Sequence, residues 1–271
     1  MLRFVRKITV QESSYHIEKQ IHPIKVRSAW VKAIARPTPH MARITLQGDD
    51  LQDFHSPGFD DHVKLLFSEQ AGQEFTVPLV GERGLVFEEG QVKPVMRDYT
   101  PLSYDNQSRE MVIDFVLHGT GVASTWAEHA KVGDRLVMAG PRGSMLIPTV
   151  FDWQVLVGDE TALPAISRRL RELKAGTQVT VVVQLNHADA ALPLASDAAI
   201  DVRWVVEADA DAATQKMLQT LQALTVPAQG EGFAWGAVEY AQVTPVREVL
   251  MQRFSLDNAR VKVSSYWRRE A

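Results

Sequence analysis

The stretch RDYTPLSY, residues 97–104, decides how the chain is read. Extended backbone over 97–100 turns Arg97 and Tyr99 to one side and Thr100 to the other. A guanidinium pairs bidentately with phosphate, an aromatic ring lies against a flat heterocycle, and a threonine hydroxyl or amide hydrogen-bonds a ring nitrogen. A flavin nucleotide presents all three groups. Taken alone, the eight residues read more economically as a strand entering the turn TPLSYDN, with Arg97 paired to an acid.

The run HGTGVASTWA, residues 118–127, shifts that balance. Gly119 and Gly121 permit tight backbone conformations, and Ser124 or Thr125 stands where a helix would open. The unpaired amides of a helix N-terminus attract anions such as a pyrophosphate. A lone glycine turn and N-cap is unremarkable; about 20 residues after an R-x-Y-T it becomes a second half of the same site.

Outward from these stretches the chain divides into two patterns. Residues 25–147 carry short runs rich in branched and aromatic residues, KVRSAWVKAIA, ARITL, HVKLLFS, MVIDFVL and DRLVMAG, separated by Gly, Pro, Asp and Asn. That spacing predicts an antiparallel barrel or sandwich, with one short helix in VASTWAEHAKVGD ending before Gly133. After Pro148 apolar strands alternate with helical spacing, which predicts a parallel sheet in an α/β domain. WQVLVG is followed by a helix with Ile166, Leu170 and Leu173 on one face and Gly176 as its stop. QVTVVVQL and VRWVV precede a helix lined by Met217, Leu218, Leu221 and Leu224. FAWG then leads to a helix capped by Thr244 with Pro245 in its first turn, running to Phe254, and VKVSSYW closes the series. The predicted organisation is a flexible tail over 1–20, a β-barrel over 21–148 and an α/β domain over 149–271.

Composition narrows the chemistry. The chain has 271 residues, 45% hydrophobic and 23% charged, with a net charge of -4 and no cysteine. The charge balance gives no footprint for nonspecific nucleic-acid binding. Disulfides, thiolate catalysis and thiolate-ligated clusters are excluded, so redox chemistry must come from a bound cofactor. The N-terminus is interrupted by charge within seven residues and reads poorly as a signal peptide; nothing later supplies a membrane span. The expected location is the cytoplasm, and the expected state a monomer. The eight histidines show no H-x-x-x-H or H-E-x-x-H spacing, so no metal ligands are assigned. A G-x-S-x-G elbow is absent.

DDHVKLLF, RDYTPLSYD, HGTGVASTWA, GDRLVMAGPRGS, GDETALPAISRRL and the final YWRR, in this order, resemble the siderophore-interacting proteins, the vibriobactin-utilisation type included. The resemblance covers nearly the whole chain from about Lys25. It implies a two-domain ferredoxin-reductase-like fold, with an FAD-binding antiparallel β-barrel and a C-terminal NAD(P)H-binding α/β domain, and reduction of ferric iron inside a siderophore. It implies that Arg97 meets the FAD diphosphate, that Tyr99 lies on the isoalloxazine and Thr100 at its edge, with Asp98 between them. His118, Val122, Ala123 and Ser124 would form the second flavin segment. Many relatives read R-x-Y-T-x-R where this chain has Leu102, so a cation is missing there.

VLVGDETALPAI, residues 155–166, occupies a strand–turn–helix position suited to a cofactor loop but is not G-x-G-x-x-G. By its residues it is as well an ordinary β–α turn: Asp159 and Glu160 would repel a pyrophosphate unless their side chains turn away. The resemblance places Gly158, Asp159, Thr161, Ala162 and Pro164 toward the nicotinamide. NADPH and NADH are not distinguished; Arg168, Arg169 and Arg203 are the cations available for a 2′-phosphate, or plain solvated charges. Ferric siderophores are often anionic, which makes Lys64, Arg142 and Arg268 the candidates to meet them. Tyr266 or Trp267 can cover the other flavin face. The expected catalysis is flavin-mediated, with no acid–base side chain. A flavin reductase for a ferredoxin or flavodoxin, and a non-enzymatic siderophore carrier, are the competing readings.

Overall fold

The computed structural model describes residues 15–70 and 73–269. Strands β1 (Glu18–Ile21), β2 (Val26–Thr38), β3 (Met41–Gln47), β4 (Val63–Phe67), β5 (Leu79–Gly81), β6 (Gly84–Val86), β7 (Val95–Tyr99), β8 (Ser103–Asp105) and β9 (Glu110–Val116) precede helix α1 (Val122–His129). β10 (Arg135–Ala139) and β11 (Gly143–Leu146) follow it. Seven strands curl into an antiparallel half-barrel in the order β7-β4-β10-β2-β3-β9-β8. Two-residue alternation explains the curl's interior: Ala42, Ile44 and Leu46 of β3, Val63, Leu65 and Phe67 of β4, and Ile113 and Phe115 of β9 bury together, with Ala123 and Ala127 of α1 among them. The two edge strands, β7 and β8, are joined by residues 100–102, and the Leu102 amide donates to the Val112 carbonyl at 2.8 Å. RDYTPLSY therefore runs across the seam of the half-barrel.

β1 pairs antiparallel with β11, from Glu18 opposite Leu146 to Ile21 opposite Gly143. Residues 18–20, read from sequence as the end of a flexible tail, are thus strand, because the short β11 needs a ladder partner and the preceding chain supplies it. The rest of that tail through residue 14 lies outside the described residues.

The second half comprises β12 (Trp153–Asp159), α2 (Leu163–Glu172), β13 (Gln178–Leu185), β14 (Ala199–Val206), α3 (Ala210–Gln222), β15 (Gly232–Glu239), α4 (Val243–Phe254) and β16 (Val261–Trp267). The five strands form a parallel sheet in the order β14-β13-β12-β15-β16, reversing direction of growth between β12 and β15. Two expected helix ends move. α2 stops at Glu172, where Leu173 turns extended, and Gly176 serves the following turn with φ of 97°. α4 begins before Thr244, because a short 3-10 turn over Tyr240–Gln242, capped by the Glu239 carboxylate, leads directly into it.

The halves share one core. Met41 and Phe59 of the first half, with Ile147 and Phe151, bury against Leu156, Leu163, Ile166, Leu170 and Trp235 of the second. The key is the loop over 55–61. The Phe59 ring meets Trp235 edge-on at 5.4 Å, and the Arg169 guanidinium lies 5.1 Å from its centre. Asp60 accepts from the Trp235 indole at 3.0 Å and from Lys262. Asp61 turns back on its own loop, accepting from Ser144 Oγ at 2.6 Å, the Gly58 amide at 2.9 Å and Ser56 Oγ at 3.1 Å. Gly58 is required there, since a Cβ would stand 2.4 Å from Asp61 Oδ1.

Candidate functional site

On the half-barrel side, β4 and β7 pair with Val63 opposite Tyr99, Lys64 opposite Asp98 and Leu65 opposite Arg97. Arg97 and Tyr99 therefore share the inner face, as their two-residue spacing predicts. The Tyr99 ring packs 4.6 Å from Phe115, and burial pushes its phenol well above the ordinary tyrosine range. Arg97 is exposed, its guanidinium donating to the Met96 carbonyl at 3.0 Å. Asp98 points the other way and binds Lys64 Nζ at 2.8 and 3.1 Å. Two residues assigned from sequence to different ligands thus neutralise each other on the outer face.

Thr100 is buried, and its hydroxyl stands 3.4 Å from that of Tyr266. Leu102 is buried too, and its carbonyl accepts from Arg171 Nη2 at 2.5 Å.

The glycine segment adopts positive φ at Gly119 and Gly121, 74° and 79°. Helix α1 then opens at Val122, where VASTWAEHAKVGD was expected to form one short helix, with Gly121 rather than Ser124 or Thr125 at its N-cap. Val122 and Ala123 pack on the half-barrel core. Ser124 is buried in the first turn and accepts the His118 amide at 3.1 Å, so it shapes the loop. The His118 ring is exposed, 3.1 Å from Thr120 Oγ1. No side chain caps α1. Its first amides are thus open to an anion and the Arg97 guanidinium is exposed at the end of β7, two donor types that suit a dinucleotide diphosphate.

The opposing wall is the carboxyl end of the parallel sheet at the β12/β15 reversal, where open α/β sheets form their ligand crevice. Gly158 is there for packing: a Cβ would stand 2.3 Å from Ala162 Cβ and 3.0 Å from the Ala237 carbonyl. Ala162 and Pro164 are buried in the same packing, so they present no surface to a nicotinamide. Both acids turn inward. Asp159 accepts from the Thr161 amide at 2.8 Å, the Thr161 hydroxyl at 2.6 Å and the Trp267 indole at 2.7 Å. Glu160 accepts from the Asn186 amide at 2.9 Å. The anticipated repulsion is thereby removed from the loop's outer surface.

Tyr240, more than half exposed, flanks this end and carries Arg268 3.6 Å above its ring. Sequence reasoning passed over Tyr240; its place after a strand ending in an acid, as Asp159 ends β12, was the available signal. Of the three substrate candidates, Lys64 and Arg142 belong to the half-barrel, near where β4 begins and β10 ends, and Arg268 belongs to the sheet crevice. Arg142 is exposed; Lys64 is held by Asp98. Among the 2′-phosphate candidates Arg169 is excluded, being fully buried against Gln154, Glu172 and the Ile147 and Pro148 carbonyls. Arg168 is spent on the domain interface, and Arg203 pairs with Asp201 at 3.0 Å.

Burial raises the carboxyl pKa of Asp61, Asp159, Glu160 and Glu172. The native state therefore holds these protons to higher pH than the unfolded chain, and stability falls as pH rises from about 4 through the raised values. Asp159→Asn keeps an acceptor for Thr161 but cannot ionise. Thermal unfolding across that window is expected to show a shallower loss in the variant than in the parent; equal slopes would remove Asp159 from the linkage.

No helix among the described residues is long and apolar enough to cross a membrane, and none of their His, Asp and Glu side chains form a metal-holding group of three.

Both halves of the chain match known proteins. Residues 30–145 match a siderophore-interacting FAD-binding domain and residues 151–270 a siderophore-interacting protein domain. The chain is 36% identical to the NADPH-dependent ferric-chelate reductase of Escherichia coli over 90% of its length and 93% of that protein. It is 29% identical to the ferric vibriobactin reductase ViuB of Vibrio cholerae over 85% and 84%. Among solved structures it superposes on a siderophore utilization protein from T. fusca with a TM-score of 0.86, 32% identity and coverage of 94% and 97%. SipS from Aeromonas hydrophila gives 0.76, 29%, 92% and 94%. Ferredoxin reductase in carbazole 1,9a-dioxygenase, at 18% identity and a TM-score of 0.62, shares the fold.

Proposed function

The chain belongs to the siderophore-interacting protein family, and from that membership we propose that it is an NAD(P)H-dependent, FAD-containing ferric-siderophore reductase that frees iron as Fe(II) in the cytoplasm, acting as a monomer. The observation that carries the reading is the meeting of two half-sites: Thr100, at the end of the flavin motif, touches Tyr266 at 3.4 Å, and the adjacent Trp267 binds Asp159 at the nicotinamide loop. A flavin held at the first wall and a nicotinamide held at the second would then lie on either side of this contact.

Bound FAD supplies the conversion between a two-electron hydride donor and one-electron ferric acceptors. The chain's own work is positioning and electrostatics. Arg97 and the first amides of α1 would hold the diphosphate, Tyr99 and Thr100 would flank the ring system, and Gly119 and Gly121 would give the backbone its approach. Asp98 fixes Lys64 rather than touching the flavin. Thr161, the partly exposed residue of the loop whose acids are folded inward, would face the nicotinamide, and Tyr240 with Arg268 would border it. Arg142, exposed just after β10, is the half-barrel cation offered to an anionic ferric chelate, while Lys64 is held by Asp98 on the outer face. Ferrous iron, of lower charge density, is held less tightly by hard anionic oxygens, so reduction releases it.

The test loads the protein with FAD and mixes it anaerobically with NADPH or NADH, then with a ferric catecholate in the presence of a ferrous-specific chromophoric chelator. Bleaching of the flavin followed by its reoxidation with formation of the ferrous complex is expected. A protein that takes up no FAD, or whose flavin neither nicotinamide bleaches, contradicts the proposal; reduction by ferredoxin alone would turn it into an electron-transfer protein.

A further inference from the structure

The guanidinium of Arg168 reaches out of α2 and across to the half-barrel. Its Nη1 donates to Ser56 Oγ at 3.1 Å and to the Pro101 carbonyl at 3.4 Å; its Nη2 donates to the Ser56 carbonyl at 2.5 Å. Ser56 Oγ donates onward to Asp61 Oδ2, the same oxygen that accepts from Ser144 Oγ, and Ser144 Oγ lies 2.7 Å from His22 Nε2. Three residues along the helix, Arg171 holds the Leu102 carbonyl. Two cations of the second half therefore grip the two residues that follow Thr100.

The helix they stand on is the one the nicotinamide loop opens: Asp159, Glu160 and Thr161 run into Leu163, the first residue of α2. A helix rises about 1.5 Å per residue, so one short rigid rod carries the loop at its start and the grip on the flavin turn at its second turn. We propose that Arg168 is a positioning residue for hydride transfer: through α2 it sets the distance between the turn over 100–102 and the nicotinamide loop. This rests on the functional reading above.

Three features separate this role from simple adhesion. The halves are already joined by the Phe59 core, so Arg168 is not needed to bring them together. A charge at a half-buried interface is weak evidence for stabilisation, since desolvation offsets its attraction; burial depresses the Arg168 pKa, and Asp61 opposes that effect. The fork also meets a hydroxyl and two carbonyls at once, which a lysine's single ammonium does not reproduce.

The experiment uses FAD-loaded Arg168→Met, Arg168→Lys and Ser56→Ala, each first checked for parental flavin affinity and circular dichroism. Stopped-flow mixing with NADPH gives the limiting rate of flavin bleaching and the apparent NADPH affinity. Separate mixing of dithionite-reduced protein with a ferric chelate gives the second half-reaction. Hydrogen exchange over 97–104 reads the turn directly, without turnover. The limiting bleaching rate is expected to fall on the order of 100-fold in Arg168→Met, as for a displacement of about 1 Å at a reacting pair, less in Arg168→Lys and Ser56→Ala. NADPH affinity and the ferric half-reaction should stay near parental values, while exchange over 97–104 rises. An unchanged bleaching rate overturns the proposal. So does a loss confined to NADPH affinity, which would make Arg168 a cofactor ligand, or an equal loss in both half-reactions, which would make it structural. If Arg168→Met does not fold, the other two variants decide on the same criteria. Failure of the parent protein to bleach with NADPH would instead defeat the functional reading itself.

Discussion

Phe59→Ala is expected to destabilise the protein by about 3–5 kcal/mol, the range for removing a large buried aromatic side chain. The ring is 1% exposed and packs on Trp235 of the parallel sheet and on the Arg169 guanidinium, so the cavity would open in the core that both halves share. Its neighbours cannot collapse freely into the space, because Asp60 is tied to Trp235 and Lys262 and Asp61 to Ser144 and Gly58. Urea unfolding followed by tryptophan fluorescence and by far-ultraviolet circular dichroism measures the loss. The parent should unfold with coincident transitions, and the variant should separate them as the halves decouple. A loss below about 1 kcal/mol would mean that the loop over 55–61 does not join the halves.

Arg97→Ala is expected to weaken FAD binding by about 10- to 100-fold, corresponding to the loss of charge-assisted hydrogen bonds worth roughly 1.5–3 kcal/mol. Arg97 makes one hydrogen bond, to the carbonyl of its own neighbour, and its side chain is exposed, so folding should change little. Equilibrium titration by flavin fluorescence gives the affinity, and thermal unfolding of the unloaded protein gives the control. Salt should weaken the parent more than the variant, since a phosphate contact is screened. Parental affinity in Arg97→Ala would leave the diphosphate to the amides of α1.

The fold was legible because periodicity reports burial. ARITL alternates and QVTVVVQL does not, which separates a strand with one buried face from one covered on both; HVKLLF alternates only through Lys64, and Leu66 buries apart from Leu65, with Val137 and Ala139. The site was legible in part. That Arg97 and Tyr99 share a face follows from spacing alone, but Lys64 facing Asp98 depends on the register of two strands that bring together residues 34 apart. Phe59 lies in HSPGFDDH, a turn-rich segment without a period, so nothing local marks it as core. Arg169 was marked: with Ile166, Leu170 and Leu173 it falls in the apolar stripe of its helix, and only habit reads a helix arginine as solvated. The acids of GDETA posed a conflict that the sequence could state and not resolve, because beside the local Thr161 the donors that satisfy them, the Asn186 amide and the Trp267 indole, lie far along the chain.

The chain passes from one sheet to the other between Leu146 and Trp153, but its core does not divide there. A chimaera of two relatives spliced at that crossover would pair a Phe59 loop from one parent with a Trp235, Arg169 and Lys262 socket from the other. The workable exchange unit is the second half together with residues 55–61, a module that is continuous in space and interrupted in the gene.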